Sequence, residues 1–256
     1  MRSAYVTAAI VLRCWPFGES DKIVSFFTET HGKITGIAKG AKRSRKRFVN
    51  TLEPFSLVNL RFEDRAHSTL AFVHACDLIR PFNGLTTSLE KIALACYLME
   101  ITDGLTGERE ENRLVFQHLR DGLIYLEENE ISLTFLTFFE LRLLKLSGYQ
   151  PMLEQCRRCR TKWPPGSQVK CRFSPRDGGV LCESCSHFRK EAVPLSVEAL
   201  HTLLDLQKSD SLLSDELAPF PLSPLREGRS VLLRFIQFQM NKALKSLPFL
   251  DSFSFT

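Results

Sequence analysis

Cys156, Cys159, Cys182 and Cys185 stand as two C-x2-C pairs in the stretch "CRRCRTKWPPGSQVKCRFSPRDGGVLCESC". A thiolate pair at that spacing on a tight knuckle grips one edge of a tetrahedral metal ion, and a second knuckle supplies the opposite edge. The pattern points to one structural Zn²⁺. Four thiolates close the coordination sphere and leave no position for water or substrate. An iron centre, a disulfide formed on oxidation and metal-free cysteines are the alternatives. The loop between the knuckles is somewhat longer than usual and carries two turn signals, Pro164-Pro165-Gly166 and Gly178-Gly179. Cys171 lies between the knuckles without a near partner and reads as a free thiol. Cys14, Cys76 and Cys96 sit in apolar stretches and read as ordinary buried residues.

A second constellation is "KITGIAKGAKRSRKRF", a strand-like run entering a loop with Lys39, Lys42, Arg43, Arg45, Lys46 and Arg47 and no acid between them. Six cations in such a loop suit a polyphosphate backbone, and Gly36 and Gly40 would let the main chain approach closely. The run is not an NTPase phosphate loop, because "GIAKGAK" lacks the four-residue gap and the Lys-Ser/Thr ending. Tyr5, Phe48, Phe55 and Phe62 are candidate stacking platforms for unpaired bases, although each suits a core position better.

Charge is distributed unevenly around a total of +5. Residues 39–47 carry +6, residues 156–190 carry +7, and residues 98–140 carry −7. Two basic patches flanking an acidic middle suggest a polyanion partner; the carboxylates of the middle read as an exposed helix face. No H-E-x-x-H, G-x-S-x-G or dinucleotide fingerprint occurs, the deaminase pattern fails, and the six histidines are scattered. The chain reads as a binding protein rather than an enzyme. No apolar run approaches the roughly 18 to 20 residues of a membrane span, and Ala8–Leu12 is too short for a signal-peptide core, so a cytoplasmic protein is expected.

The elements that must position these groups change character once along the chain. From Tyr5 to about Leu78, "YVTAAIVL", "KIVSFFT", "KITGIAKG", "FSLVNLRF" and "STLAFVHACDL" predict five short strands separated by turns such as "PFGESD". Five strands in this length suit a small barrel, with the open Greek-key OB-fold as the leading candidate and an SH3-like barrel as the rival, and pattern alone does not choose. After Pro81, "TTSLEKIALACYLMEITDGL", "ENRLVFQHLRDGLIYLEE" and "SLTFLTFFELRLLKLSGY" predict helices, the first opened by Thr87 or Ser88 and the third closed by Gly148. In the first, Leu89, Ile92, Ala93, Cys96, Met99 and Glu100 fall at helical spacing. Helices resume after the cysteines with "SVEALHTLLDLQ" and "GRSVLLRFIQFQMNKALKSL", separated by a loop around "APFPLSPL". The cysteine module is therefore read as an insertion, residues 156–186, in a helical domain of residues 81–155 and 187–256, with residues 1–80 as the barrel.

The motifs "FGESDKIVSFFTETHGKITGIAKGAKRSRKRF", "FFELRLLKLSGYQPMLEQCRRC" and "FSPRDGGVLCESC" resemble the RecO family of bacterial recombination mediators. The resemblance implies an α+β multidomain protein: an N-terminal five-stranded OB-fold, then an α-helical domain with an inserted four-cysteine zinc module. It implies a function in DNA repair without bond chemistry. Single- and double-stranded DNA would be bound and complementary strands annealed; RecA would be helped onto strands coated by single-stranded-DNA-binding protein (SSB), with RecR and the acidic C-terminal tail of SSB as partners. Lys39, Lys42, Arg43, Arg45, Lys46 and Arg47 would form the DNA-contacting loop. Cys156, Cys159, Cys182 and Cys185 would hold the metal. Arg142, Lys145 and Arg234, cations on apolar helices, are candidates for the rim of a pocket for the SSB tail, although plain solvated cations are the simpler reading of them. The competing readings are a zinc-ribbon RNA-binding or transcription-associated adaptor and a metal-dependent nuclease or redox protein; the closed site argues against the last.

Overall fold

The computed structural model describes residues 4–163, 170–209, 220–250 and 253. Five strands, β1 (Tyr5–Phe17), β2 (Asp21–Thr28), β3 (Gly32–Ala38), β4 (Leu57–Glu63) and β5 (Ala71–Arg80), close into a barrel in the order β1-β2-β3-β5-β4. The first three form an antiparallel meander, β4 pairs antiparallel with β1 and β5, and β3 meets β5 in parallel. This order, with its single parallel closure, is the OB arrangement and sets aside the SH3-like rival. Alternate residues fill the interior: Val24 and Phe26 of β2, Ile34 and Ala38 of β3, Val58, Leu60 and Phe62 of β4, Ala71 and Val73 of β5.

One irregularity in β1 re-aims its second half. The register to β2 shifts between Val11 and Arg13, so Ala9 and Val11 face inward before the bulge and Cys14 after it. Arg13, Trp15 and Phe17 consequently share the outer face. The strand also runs five residues past its predicted end, through Pro16, which is tolerated so near the strand terminus. Gly36 is required for packing rather than for a phosphate, because a Cβ there would lie 2.7 Å from the Val73 side chain.

Helices α1 (Leu89–Leu105) and α2 (Arg113–Glu128) belong with the barrel in a compact unit of residues 1–129 and 246–250. Ser88 caps α1 as expected, its side chain accepting from the Glu90 amide, and Asn112 caps α2 in the same way. The predicted inner face of α1 is only partly right. Leu94, Tyr97, Leu98 and Ile101 are fully buried, whereas Leu89 and Cys96 are exposed. The helix is apolar nearly all round, so periodicity alone does not single out one face. Phe116 of α2 packs on Phe27 from the outside of β2, with ring centroids 6.2 Å apart.

The second unit, residues 130–245, contains α3 (Leu133–Leu146), the hairpin β6 (Cys171–Ser174) and β7 (Gly179–Cys182), α4 (Glu183–Ser186), β8 (Val193–Leu195), α5 (Val197–Lys208) and α6 (Leu222–Met240). α3, α5 and α6 pack on one another, although the cysteine module lies between α3 and α5 in the chain. α6 begins inside the predicted Pro-rich loop, six residues early, with Pro224 in its first turn where no amide is needed. The sheet runs β7-β6-β8, and Phe173 meets Phe235 edge to face at 5.6 Å, joining it to α6. A last short helix, α7 (Leu247–Leu250), returns to the first unit, where Ser246 donates its amide and hydroxyl to Glu100 at 2.9 and 2.6 Å. β5 ends at Arg80 and helices follow, while compactness keeps the first two helices with the barrel. Their apolar faces are covered there.

Candidate nucleic-acid interface and metal centre

The basic loop leaves β3 at Lys39 and turns at once through Gly40, whose φ of 71° favours glycine, into a short 3-10 turn, Ala41–Arg43. Its far half dives into the barrel end: Phe48 and Leu52 join the core, and the Cys76 amide donates to the Arg47 carbonyl at 3.3 Å. The loop is therefore a fixed platform. On its outer side Lys39, Lys42, Arg43, Arg45, Lys46 and Arg47 are all exposed, and among the described residues none of the six is ion-paired to a carboxylate. Two of them also serve the scaffold. Lys42 donates its Nζ to the Gly18 carbonyl at 2.7 Å and its amide to Ser20 at 2.9 Å, and Arg47 Nη2 donates to the Lys39 carbonyl at 3.0 Å.

Asp21 completes the anchor between the loop and the β1–β2 turn. Its Oδ1 accepts from the Gly40 amide at 2.8 Å and from the Ser20 hydroxyl at 2.9 Å. The Gly40 N–H, then the Ser20 hydroxyl, hold the carboxyl below its ordinary range, so it stays charged within the hydrogen bonds it makes. Of the suggested stacking rings, Phe62 is fully buried and Phe48 and Phe55 nearly so. Tyr5 is 36% exposed but leans on Phe62 and His31 at centroid distances of 5.3 and 4.7 Å. Two rings that the sequence reading missed stand out instead: Trp15 and Phe17, 40% and 50% exposed beside the same turn. Pro16 between them disguised the strand. The alternation Cys14, Trp15, Pro16, Phe17 was the available signal.

The acidic middle is less exposed than its composition suggests. Asp103 pairs with both Lys33 and Arg13 at 3.1 Å, and Arg80 pairs with Glu127 and Glu128 at 2.6 and 2.7 Å. Glu140 is fully buried and binds Arg229 at 2.9 Å. These carboxylates neutralise cations of the fold itself.

The four paired cysteines converge in the second unit. Their sulfurs all lie within 4.8 Å of one another, and Cys159 and Cys182 are 3.7 Å apart. An ion about 2.3 Å from each of four tetrahedrally placed sulfurs requires S–S separations of about 3.8 Å, so the cluster could hold a metal ion. The first knuckle is shaped by the main chain. The Arg160 amide donates back to Cys156 at 2.9 Å with Arg160 at φ 60°, and the Cys156 amide donates to Thr161 at 2.9 Å. The second knuckle starts at the end of β7, where the Cys182 amide points at the Cys156 sulfur at 3.4 Å. Without a cation the thiols titrate apart: the Thr161 hydroxyl holds Cys159 down to about 6, and desolvation followed by the neighbouring sulfurs pushes Cys185 up to about 12. Such a set accepts its full thiolate charge only around a cation.

Cys171 lies opposite Cys182 in the β6–β7 ladder but is committed elsewhere, its thiol donating to the Leu195 carbonyl at 3.2 Å. Burial, then Glu227, raises it to about 11. Among the other cysteines, Cys76 is buried as expected, Cys14 is half-buried, and Cys96 is exposed on α1, contrary to expectation. The Gly178 turn closes the hairpin with φ 70°, and a Cβ at Gly179 would meet the Met152 carbonyl at 2.5 Å. The Pro164-Pro165-Gly166 turn lies outside the described residues. Around the module Arg158, Arg160, Lys162, Lys170, Arg176 and Lys190 are exposed, whereas Arg189 is spent on Asp177, at 2.6 and 3.1 Å. No helix among the described residues is long and apolar enough to cross a membrane.

Comparison with known proteins places both halves together. A family model described as recombination protein O N terminal matches residues 1–82, and one described as recombination protein O C terminal matches residues 86–248. A DNA repair protein RecO from Syntrophus aciditrophicus is 37% identical over 98% of this chain and 96% of its own length. Proteins of the same description from Syntrophobacter fumaroxidans and Anaeromyxobacter sp. are 35% and 33% identical, covering 96% and 94% of both chains. With the OB barrel, the helical region and the cysteine cluster in matching order, this chain belongs to the RecO family of DNA repair and recombination proteins.

Proposed function

We propose that this protein is a recombination mediator that binds single- and double-stranded DNA, anneals complementary strands and, with RecR, helps load RecA onto SSB-coated DNA. The observation that carries the reading is the platform of six exposed cations, none in an ion pair within 4.0 Å among the described residues, pinned to the β1–β2 turn of the barrel. Two phosphate backbones repel each other. A protein offering two cationic surfaces lowers the cost of bringing strands together, while base pairing supplies the specificity. Lys39, Lys42, Arg43, Arg45, Lys46 and Arg47 provide one surface and the exposed cations of the cysteine module the other. Such a protein needs no catalytic residue and works in the cytoplasm.

Cys156, Cys159, Cys182 and Cys185 would hold one Zn²⁺. Their sulfur separations suit it, and a closed four-thiolate set contributes folding energy rather than a reactive water. The chain's own part is to preform the two knuckles through main-chain hydrogen bonds.

The test is annealing of two complementary SSB-coated oligonucleotides followed by fluorescence at two salt concentrations. Acceleration that fades as salt rises is the expected result. No acceleration from a folded, metal-loaded protein would replace the mediator by the adaptor that binds RNA or protein.

A further inference from the structure

OB-folds take oligonucleotides across the face of strands 2 and 3, between the β1–β2 and β4–β5 loops. In this chain half of that path is closed. The connection between α1 and α2 lies along β3, with the Arg109 amide donating to the Lys33 carbonyl at 3.2 Å, and Arg109 reaches the β4–β5 loop at Asp64, 2.6 Å away. The cleft left there, about 940 Å³, is edged by Asp64, Glu108 and Glu111, with Arg109 already paired to the first of them. A polyanion is repelled from such a lining. Farther along the same outer face, Phe27 is covered by Phe116, and Lys33 and Arg13 are bound to Asp103.

The opposite corner is open and of the other sign. The bulge in β1 turns Trp15 and Phe17 outward; two residues apart on one strand, their Cα atoms stand roughly 6.6 Å from each other. That is close to twice the 3.4 Å rise between stacked bases. Among the described residues, neither ring packs on another aromatic ring. Phe17 lies opposite Asp21, which holds Gly40, and the next residue, Gly18, receives Lys42. The rings therefore border the cationic platform directly.

We propose that Trp15 and Phe17 are the stacking platform for unpaired bases, so that a single strand is held at the β1–β2 corner with its phosphates on the basic loop and its bases on these two rings. This rests on the DNA-binding reading above and extends it, because it assigns preference for single strands to residues distinct from those that grip phosphate. Bases within a duplex are stacked on one another and offer these rings no face.

The experiment compares the full-length protein with Trp15→Ala/Phe17→Ala, using fluorescently labelled oligo(dT) and a duplex at one salt concentration. Stacking is worth about 1–3 kcal/mol per base, so removing both rings should lower affinity for oligo(dT) by roughly 30-fold or more while affinity for the duplex holds. Unchanged oligo(dT) affinity, or an equal loss on both DNAs, overturns the assignment and leaves the rings to a protein partner. A second measurement is independent of the alanine variant's folding. In Trp163→Phe, Trp15 is the remaining tryptophan, and oligo(dT) should quench its emission where duplex does not. Quenching by neither, with both DNAs bound, also overturns the proposal. Failure of the unaltered protein to bind either DNA would instead sink the reading on which it rests.

Discussion

Lys42 belongs both to the cationic platform and to the scaffold beneath it, since its ammonium and amide hold Gly18 and Ser20. Among the described residues, Lys39, Arg43, Arg45 and Lys46 carry charge without making such side-chain bonds. Replacing these four together by Ala should therefore leave thermal stability near that of the parent. Each phosphate contact contributes a slope of about −0.9 to log Kobs against log salt on duplex DNA, so the slope should flatten by about 3 to 4. An unchanged slope would mean that the loop does not meet phosphates. Lys42→Ala should cost both charge and loop order. The same corner has a defined response to acid. Asp21 is held below its ordinary value of 3.8 in the fold, so its contribution is complete above that value and is lost as pH falls through the lower, folded one. The Gly40 amide resonance, followed by NMR from pH 6 to 2, should stay fixed down to about pH 4 and titrate below it. A midpoint at or above 3.8 would contradict the Gly40–Asp21 bond. The six cations were legible because charge runs need no tertiary information. The rings beside them were not, because their exposure depends on a one-residue bulge that no periodicity announces.

At the scale of elements, the caps read from the sequence carried over: Ser88 accepts the Glu90 amide and Gly148 follows α3 with φ 81°, while Ser132 and Ser196, which the sequence reading did not name, cap α3 and α5 in the same way. Burial of polar groups did not carry over. Glu140 sits among the apolar residues of α3 and looks on the sequence like one more exposed acid, yet it is fully buried against Arg229 of α6. The partner stands 89 residues away across the inserted module, beyond any local pattern. Removing one member of a buried pair strands the other charge. Arg229→Met or Glu140→Leu alone should destabilise the second unit by about 3–5 kcal/mol, and the double replacement by much less, or not at all. Chemical denaturation of the three variants decides the matter; losses that simply add in the double variant would mean that the two groups are not coupled.

The whole molecule is two compact units, each with a candidate cationic surface, and the second contains a cysteine module too small to build a large apolar core of its own. The change from a strand-rich to a helical region was legible; the attachment of α1 and α2 to the barrel was not, because it depends on which surfaces their apolar sides cover. The module's dependence on a metal is the prediction that spans both scales. Its sheet has three short strands of four, four and three residues, and four thiols within 4.8 Å of one another would repel as thiolates. The isolated protein should contain one equivalent of zinc by elemental analysis. Cys156→Ser and Cys182→Ser should lower that content and the melting temperature together, because binding energy in such a site is folding energy. Cys171→Ser should keep the full equivalent, since its sulfur is turned to Leu195. Metal retained at one equivalent in Cys156→Ser, or lost in Cys171→Ser, would reassign the ligands. Stripping the metal with a chelator should loosen the second unit while the barrel keeps its five strands, so oligo(dT) binding through the basic loop should outlast annealing, which uses both surfaces.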